Sequence, residues 1–235
     1  MTNNLQGGDY VGMSFWLISM ALVAATAFFF LERDRVAGKW KTSLTVSGLV
    51  TLIAAVHYFY MRDVWVATGT SPTEFRYIDW LLTVPLLMVE FYLIMSAVGK
   101  VPGRVFWNLL VGSTAMLLFG YAGETGMMGV GMAFVLSMAS WFYVIWYIMK
   151  GEASKVNASL ANANVQKAYK TMTLLVTVGW AIYPLGYMMG TDGWYNSMIP
   201  AGNIDVAYNI ADAINKIGFG LVIYTLAVKK QESNS

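Results

Sequence analysis

The chain has 235 residues, 57% of them hydrophobic and 12% charged, with a net charge of +2 and a mean hydropathy of +0.55. Soluble domains carry about 25% charged residues, so the composition is that of a membrane protein with one domain's worth of sequence. The lack of cysteine excludes disulfides, thiolate metal sites and cysteine nucleophiles; one histidine is too few for a His-based metal cluster, and no basic run with interleaved aromatics offers a nucleic-acid surface.

A helix crosses a bilayer with about 20 apolar residues. Seven segments qualify: 11–31, 44–60, 75–98, 105–122, 127–149, 170–190 and 203–228. The expected fold class is therefore an all-α seven-transmembrane helix bundle, one domain over residues 1–235. The first span is uncharged. The second contains His57, and the third opens on Arg76 and contains Asp79 and Glu90. The fourth and fifth are uncharged, the sixth is aromatic and uncharged from Met172, and the seventh contains Asp212 and Lys216. Breakers lie where connections are needed: Gly69 and Pro72, Pro102 and Gly103, Gly123 and Gly126. Pro85 and Pro184 read as kinks inside spans. Residues 150–170 form the longest polar stretch, either a loop or helical extensions of its neighbours. The N-terminal residues MTNNLQGGDY lack the positive n-region of a signal peptide.

Lysine and arginine are distributed unevenly between the two sides. One set of connections, with the C-terminal tail, carries twelve, and the other set, with the N-terminus, carries one. The positive-inside rule then puts the N-terminus outside and the C-terminus in the cytoplasm.

On the third span Arg76, Asp79, Thr83 and Glu90 share one helical face. Asp79 and Glu90 are about 16 Å apart along the axis at 1.5 Å per residue, with Asp79 toward the outside. On the seventh span Asp212 and Lys216 are four residues apart and share a face, with Tyr208 a turn earlier. A charge at mid-membrane costs about 2.5–3.5 kcal/mol, so a chain that keeps two there is expected to use them. A buried lysine is also readily made a nucleophilic amine, able to form a Schiff base with a carbonyl compound. An outer carboxylate, a central amine and an inner carboxylate form the layout of a proton relay. Arg76 and the lysine nitrogen favour the ionised form of Asp79. Glu90, set among Leu86, Leu87, Phe91 and Ile94, is expected to stay neutral at rest.

Each of these residues also has a structural reading. Lys216 and Asp212 could form a purely structural ion pair. Glu90 could be a neutral acid bonded to a neighbouring helix, and a lone histidine such as His57 is more often a satisfied core residue. Aromatics on the fifth and sixth spans are more often packing than a ligand box. Asp205 reads as an acid in the first turn of a helix.

The strings RYIDWLLTVPLLMVEFYL, WAIYPLGY and DAINK, at their places in the third, sixth and seventh spans, resemble those of the microbial (type 1) rhodopsins, in particular the proteorhodopsin group, over residues 11–230. The resemblance implies all-trans-retinal on Lys216 as a protonated Schiff base, Asp79 as counterion and proton acceptor, Asp212 as second counterion and Glu90 as cytoplasmic donor. It implies that Thr83 is the threonine of the pump motif, that Arg76 organises the outer half, and that His57 hydrogen-bonds Asp79. Trp80, Trp141, Trp180, Pro184 and Tyr187 would line the polyene, with Tyr58 and Tyr183 on Asp212. Leu87 falls at the colour-tuning position, where leucine goes with green absorption. Trp16, Glu32, Arg33 and Asp34 match cross-protomer contacts, implying a pentameric or hexameric ring in a bacterial inner membrane. No glutamate pair stands at the outer end of the last two spans to release protons; Glu124 is a loop glutamate on that side.

The function expected is a light-driven outward proton pump, an ion transporter and not an enzyme. A photosensor is the alternative, against which Glu90 argues. A halide pump would not keep a carboxylate at position 79, and a receptor for a diffusible ligand gives no reason for a mid-membrane lysine.

Overall fold

The structure, a computed structural model, describes residues 6–159, 163–190 and 201–232. The readings made on residues 1–5 and on the outer connection at 191–200 lie outside the described residues. The helices are α1 (Tyr10–Glu32), α2 (Lys39–Thr68), α3 (Thr73–Ser96), α4 (Gly103–Glu124), α5 (Val130–Met149), α6 (Glu152–Ser159), α7 (Ala163–Thr177), α8 (Ile182–Gly190) and α9 (Ala201–Glu232). Seven stretches are long and apolar enough to span a membrane, the sixth running through α7 and α8 and the seventh being Ile204–Lys229.

The ends of the helices follow local chemistry. Asp9 caps α1 by accepting from the Gly12 amide at 2.9 Å. The same carboxylate accepts from the Trp65 indole at 3.1 Å, which holds α2 in helical form beyond the apolar limit at residue 60. Gly69 then ends α2 at φ 68°, a conformation that costs glycine little. The fifth span begins at Val130, three residues later than expected, because Gly126 turns the chain at φ 72°. The polar stretch at 150–170 is helical where it is described, in α6 and the start of α7.

The sixth span is broken. A 3-10 turn, Gly179–Ala181, separates α7 from α8. Pro184 has no amide proton, and its ring crowds the carbonyl four residues back. Carbonyls around the break find side-chain donors: the Trp141 indole donates to Val176 O at 3.2 Å, the Asn215 amide to Gly179 O at 3.3 Å, and the Tyr208 hydroxyl to Tyr183 O at 3.2 Å. Without water to satisfy them, such groups must be paired inside the bundle.

Consecutive spans pack against one another and α9 returns to α1, α2, α7 and α8. The third span is the most enclosed, with 67% of its apolar window buried, against 50% for the second and seventh and 22–28% for the other four. The central position of α3 and α9 is what brings their polar faces together. Close packing against α1 depends on Gly220, where an added Cβ would lie 2.3 Å from the ring of fully buried Phe29. Gly220→Ala is expected to destabilise the bundle by about 1–3 kcal/mol through overpacking, seen as a lowered midpoint of thermal unfolding in detergent.

Candidate functional site

The site forms where α9 meets α3. Lys216, Asp79 and Asp212 are all buried. The Lys216 Nζ donates to Asp79 Oδ2 and to Asp212 Oδ2 at 3.1 Å. Asp212 is then saturated with neutral donors from three other elements. Tyr58 of α2 donates to it at 2.7 Å, Tyr183 of α8 at 2.6 Å, and the Trp80 indole of α3 at 3.2 Å. Asp79 is held less firmly. Its Oδ1 is buried with no hydrogen-bond partner. Thr83 donates to the Asp79 backbone carbonyl at 2.9 Å, within the same helix, and not to either carboxylate.

Toward one end lies Arg76, fully buried. It donates to the Tyr58 hydroxyl at 3.3 Å, to Asn209 Oδ1 at 2.6 Å and to Asp205 Oδ1 at 2.9 Å. The rings of Phe15, Tyr58 and Tyr208 lie within 6 Å of its guanidinium carbon, the nearest at 5.0 Å, a distance at which ring faces stabilise a cation. Asp205 is fully buried and also accepts from Ser71 Oγ at 2.9 Å. It is therefore not simply the first-turn acid expected of it, since α9 begins at Ala201 and has no acid in its first turn. The reading failed because a lone acid near a helix start has a ready explanation in the helix dipole. The missed signal was the stripe Asp205, Asn209, Asp212 and Lys216, whose offsets of 0, 4, 7 and 11 keep one helical face.

Toward the other end, Glu90 is fully buried and accepts from Ser47 Oγ of α2 at 2.9 Å; its Oε2 has no partner. Phe91 and Phe219, with ring centroids 5.8 Å apart, are buried on the same two helices. Asp79 and Glu90 are thus separate stations, as their spacing requires. His57 is half-buried, with Nδ1 2.9 Å from the Ile53 carbonyl oxygen, an acceptor, so Nδ1 carries the proton. It makes no hydrogen bond to Asp79.

A cavity lined mainly by aromatic side chains adjoins the Lys216 cluster. Trp80, Trp141, Trp180, Pro184 and Tyr187, which the resemblance puts along the polyene, line it together with Tyr183. Trp80 and Tyr183 belong both to this wall and to the shell of Asp212, so the cavity borders that shell. Sequence reading missed the α4 and α5 side of the wall, including Met116, Gly120, Phe134 and Met138. These residues are apolar in apolar spans, with nothing to distinguish them from lipid-facing ones. Leu87 is buried one turn along α3 from Val84, a wall residue.

The profile of the bacteriorhodopsin-like proteins matches residues 9–230. The chain belongs to the bacteriorhodopsin-like family. It is 53% identical over 234 residues to the green-light absorbing proteorhodopsin of Gamma-proteobacterium EBAC31A08, covering 98% of this chain and 91% of that one. It is 52% identical, with the same coverage, to the blue-light absorbing proteorhodopsin of Gamma-proteobacterium Hot 75m4. The crystal structure of the blue light-absorbing proteorhodopsin from Med12 superposes with a TM-score of 0.79 at 46% identity, covering 94% of this chain and 99% of that one.

Membership in the bacteriorhodopsin-like family implies a retinal chromophore, and the site fits one. A flat, apolar, conjugated molecule matches a slot walled by three indoles and three phenols, and a carbonyl at one end would meet the only buried amine among the described residues. Asp212→Ala would leave Lys216 with one carboxylate and strand three buried donors. Breaking a buried pair in this way costs about 3–5 kcal/mol, so the variant without chromophore is expected to unfold at much lower denaturant than the parent chain.

Proposed function

We propose that this chain is a light-driven outward proton pump, a single retinal-binding domain in a bacterial inner membrane with its N-terminus outside. The observation that carries this reading is the burial of Lys216 Nζ against Asp79 and Asp212, with Glu90 buried apart from it further along α3. All-trans-retinal bound covalently at Lys216 Nζ supplies the light-driven change of shape. Every other requirement falls to side chains.

Asp79 is suited to accept a proton from Lys216 Nζ, since it contacts that nitrogen directly and one of its oxygens is free. Asp212 is suited to remain ionised throughout: four donors hold its two oxygens, and protonation would break at least one of those bonds. The division of labour between two carboxylates on one amine follows from their partners. Arg76 balances negative charge on the outer side. Glu90, bonded only to Ser47 in apolar surroundings, is suited to hold a proton at rest and return it toward Lys216 from the cytoplasmic side. The apolar Leu87, together with the likeness to a green-light absorbing relative, supports green absorption.

The chain is further proposed to assemble as a pentameric or hexameric ring. Trp16, 41% exposed, packs edge-on against Phe59 at 5.8 Å and lies under the Arg62 guanidinium, leaving one indole face for a neighbour. Glu32, Arg33 and Asp34, at the cytoplasmic end of α1, supply both charge signs.

Illuminated cells carrying the protein are expected to acidify an unbuffered medium, with a protonophore abolishing the signal. In the same assay Asp79→Asn stops transport while the pigment still forms, Glu90→Gln leaves the colour and slows turnover by about 100-fold or more, and Lys216→Ala gives no pigment. Absence of any light-dependent pH change from the parent protein would overturn the pump reading.

A further inference from the structure

The polar face of α9 contains one acid that the proposed cycle does not use. The buried hydrogen-bonded network around Lys216 runs without a break from Asp79 through Lys216, Asp212, Tyr58 and Arg76 to Asp205. It contains two cations, Arg76 and Lys216, and three carboxyls, Asp79, Asp212 and Asp205. With every group charged it therefore carries one negative charge in excess. Uncompensated buried charge is costly, and the surplus can be neutralised by one more proton without discharging either cation. Asp212 is the wrong place for that proton, because donors fill both its oxygens. Of these three carboxyls, Asp79 and Asp205 each have a buried oxygen lacking any partner.

Asp205 also stands on a route out. Its Oδ1 accepts from Arg76 and from Ser71, and Ser71 in turn accepts from Thr73 Oγ1 at 3.1 Å. Ser71 and Thr73 line a second cavity, whose walls include Tyr77, Glu124, Tyr187 and Tyr208. This cavity lies between the Arg76 cluster and the ends of α4 and α8. Glu124, at the end of α4, is half-buried on its far wall. The charged and titratable groups around Asp205 are thus Arg76 and Tyr77 from α3, Tyr58 from α2, Tyr208 from its own helix, and Glu124 and Tyr187 across the cavity.

We propose that Asp205 is the carboxylate that holds the outgoing proton between Asp79 and the outer face, taking it on the unpartnered Oδ2 and passing it by way of Ser71 to the cavity beside Glu124. This rests on the outward-pump reading and names its exit group. The proton leaves the O–H of Asp79, which becomes a carboxylate, and forms an O–H bond at Asp205 Oδ2. Ser71 Oγ, which donates to Asp205 Oδ1 at rest, turns its O–H toward the cavity it lines, gives that proton to water there and takes the Asp205 proton in its place, so that both groups return to their starting form. Arg76 stays charged throughout. While Asp205 is neutral, the guanidinium has lost its one carboxylate partner and its full charge acts on Asp79 and Asp212, which favours the re-ionised form of Asp79.

The test is flash-induced proton release from retinal-loaded protein in nanodiscs, followed with a water-soluble pH dye, beside the visible absorbance change that reports proton transfer to Asp79. In Asp205→Asn, release into the medium is expected to slow by about 100-fold or more, the lower end of what one positioned acid–base group contributes, while the absorbance change at Asp79 keeps its rate. A transient carboxylic C=O band in time-resolved infrared spectra should vanish in the same variant. Ser71→Ala, which leaves all charges in place, should slow release in the same direction, and Asp205→Glu should restore it. Unchanged release timing in both Asp205→Asn and Ser71→Ala overturns the proposal. So does an Asp205→Asn variant that loses the Asp79 absorbance step while release still follows it at once, because that is the behaviour of a residue that only positions Arg76. A parent protein that releases no proton at all overturns the pump reading instead.

Discussion

The arrangement depends on holding one ammonium group in the middle of an apolar bundle. The solution is a carboxylate fixed from several directions at once. Asp212 sits one helical turn from Lys216 on α9 and is gripped by hydroxyls and an indole from α2, α3 and α8. Four of the spans therefore meet at one side chain. Such a network is worth more than the sum of its bonds only when every member is satisfied, and Asp212 is the member for which that holds. Asp79, with one oxygen paired and one free, is the adjustable partner. The difference between the two acids is a difference in donors, not in distance from the amine.

The two halves of the bundle are built differently. On the Arg76 side, polar groups are contiguous: Ser14 accepts from Asn209 at 2.8 Å, Asn209 accepts from Arg76, and Asp205 joins Arg76 to Ser71. On the Glu90 side, aromatic and aliphatic side chains such as Phe91, Phe219, Ile94 and Ile223 fill the interior, and Ser47 alone bonds the carboxyl. One half offers many places for a proton, and the other offers one.

Much of this was legible in the amino acids. The seven spans followed from hydropathy, because apolar runs of bilayer length have few alternatives. The pairing of Lys216 with Asp212 followed from helical spacing, and the separation of Asp79 from Glu90 followed from rise per residue. What was not legible depended on approach between elements. Pro184 was visible as a kink, but the 3-10 turn it accompanies depends on Asn215 and Trp141 bonding carbonyls around the break. The bond expected between His57 and Asp79 came from likeness alone, and the ring is instead held through Nδ1 by the Ile53 carbonyl. Asp205 was misread because its partners, Arg76 and Ser71, are more than 120 residues distant in sequence. The wall of the cavity contributed by α4 and α5 is chemically indistinct from the surface those helices show to lipid.

The dry packing around Glu90 has an electrical consequence. A transmembrane voltage falls mainly across the least polarisable layer, and moving one charge through the full potential costs about 2.3 kcal/mol per 100 mV. With a polar outer half and an apolar inner half, most of that drop lies between Glu90 and Lys216. On the proposed orientation, an energised cell therefore opposes the refilling of the centre far more than its emptying, and the voltage it has built throttles the turnover that built it.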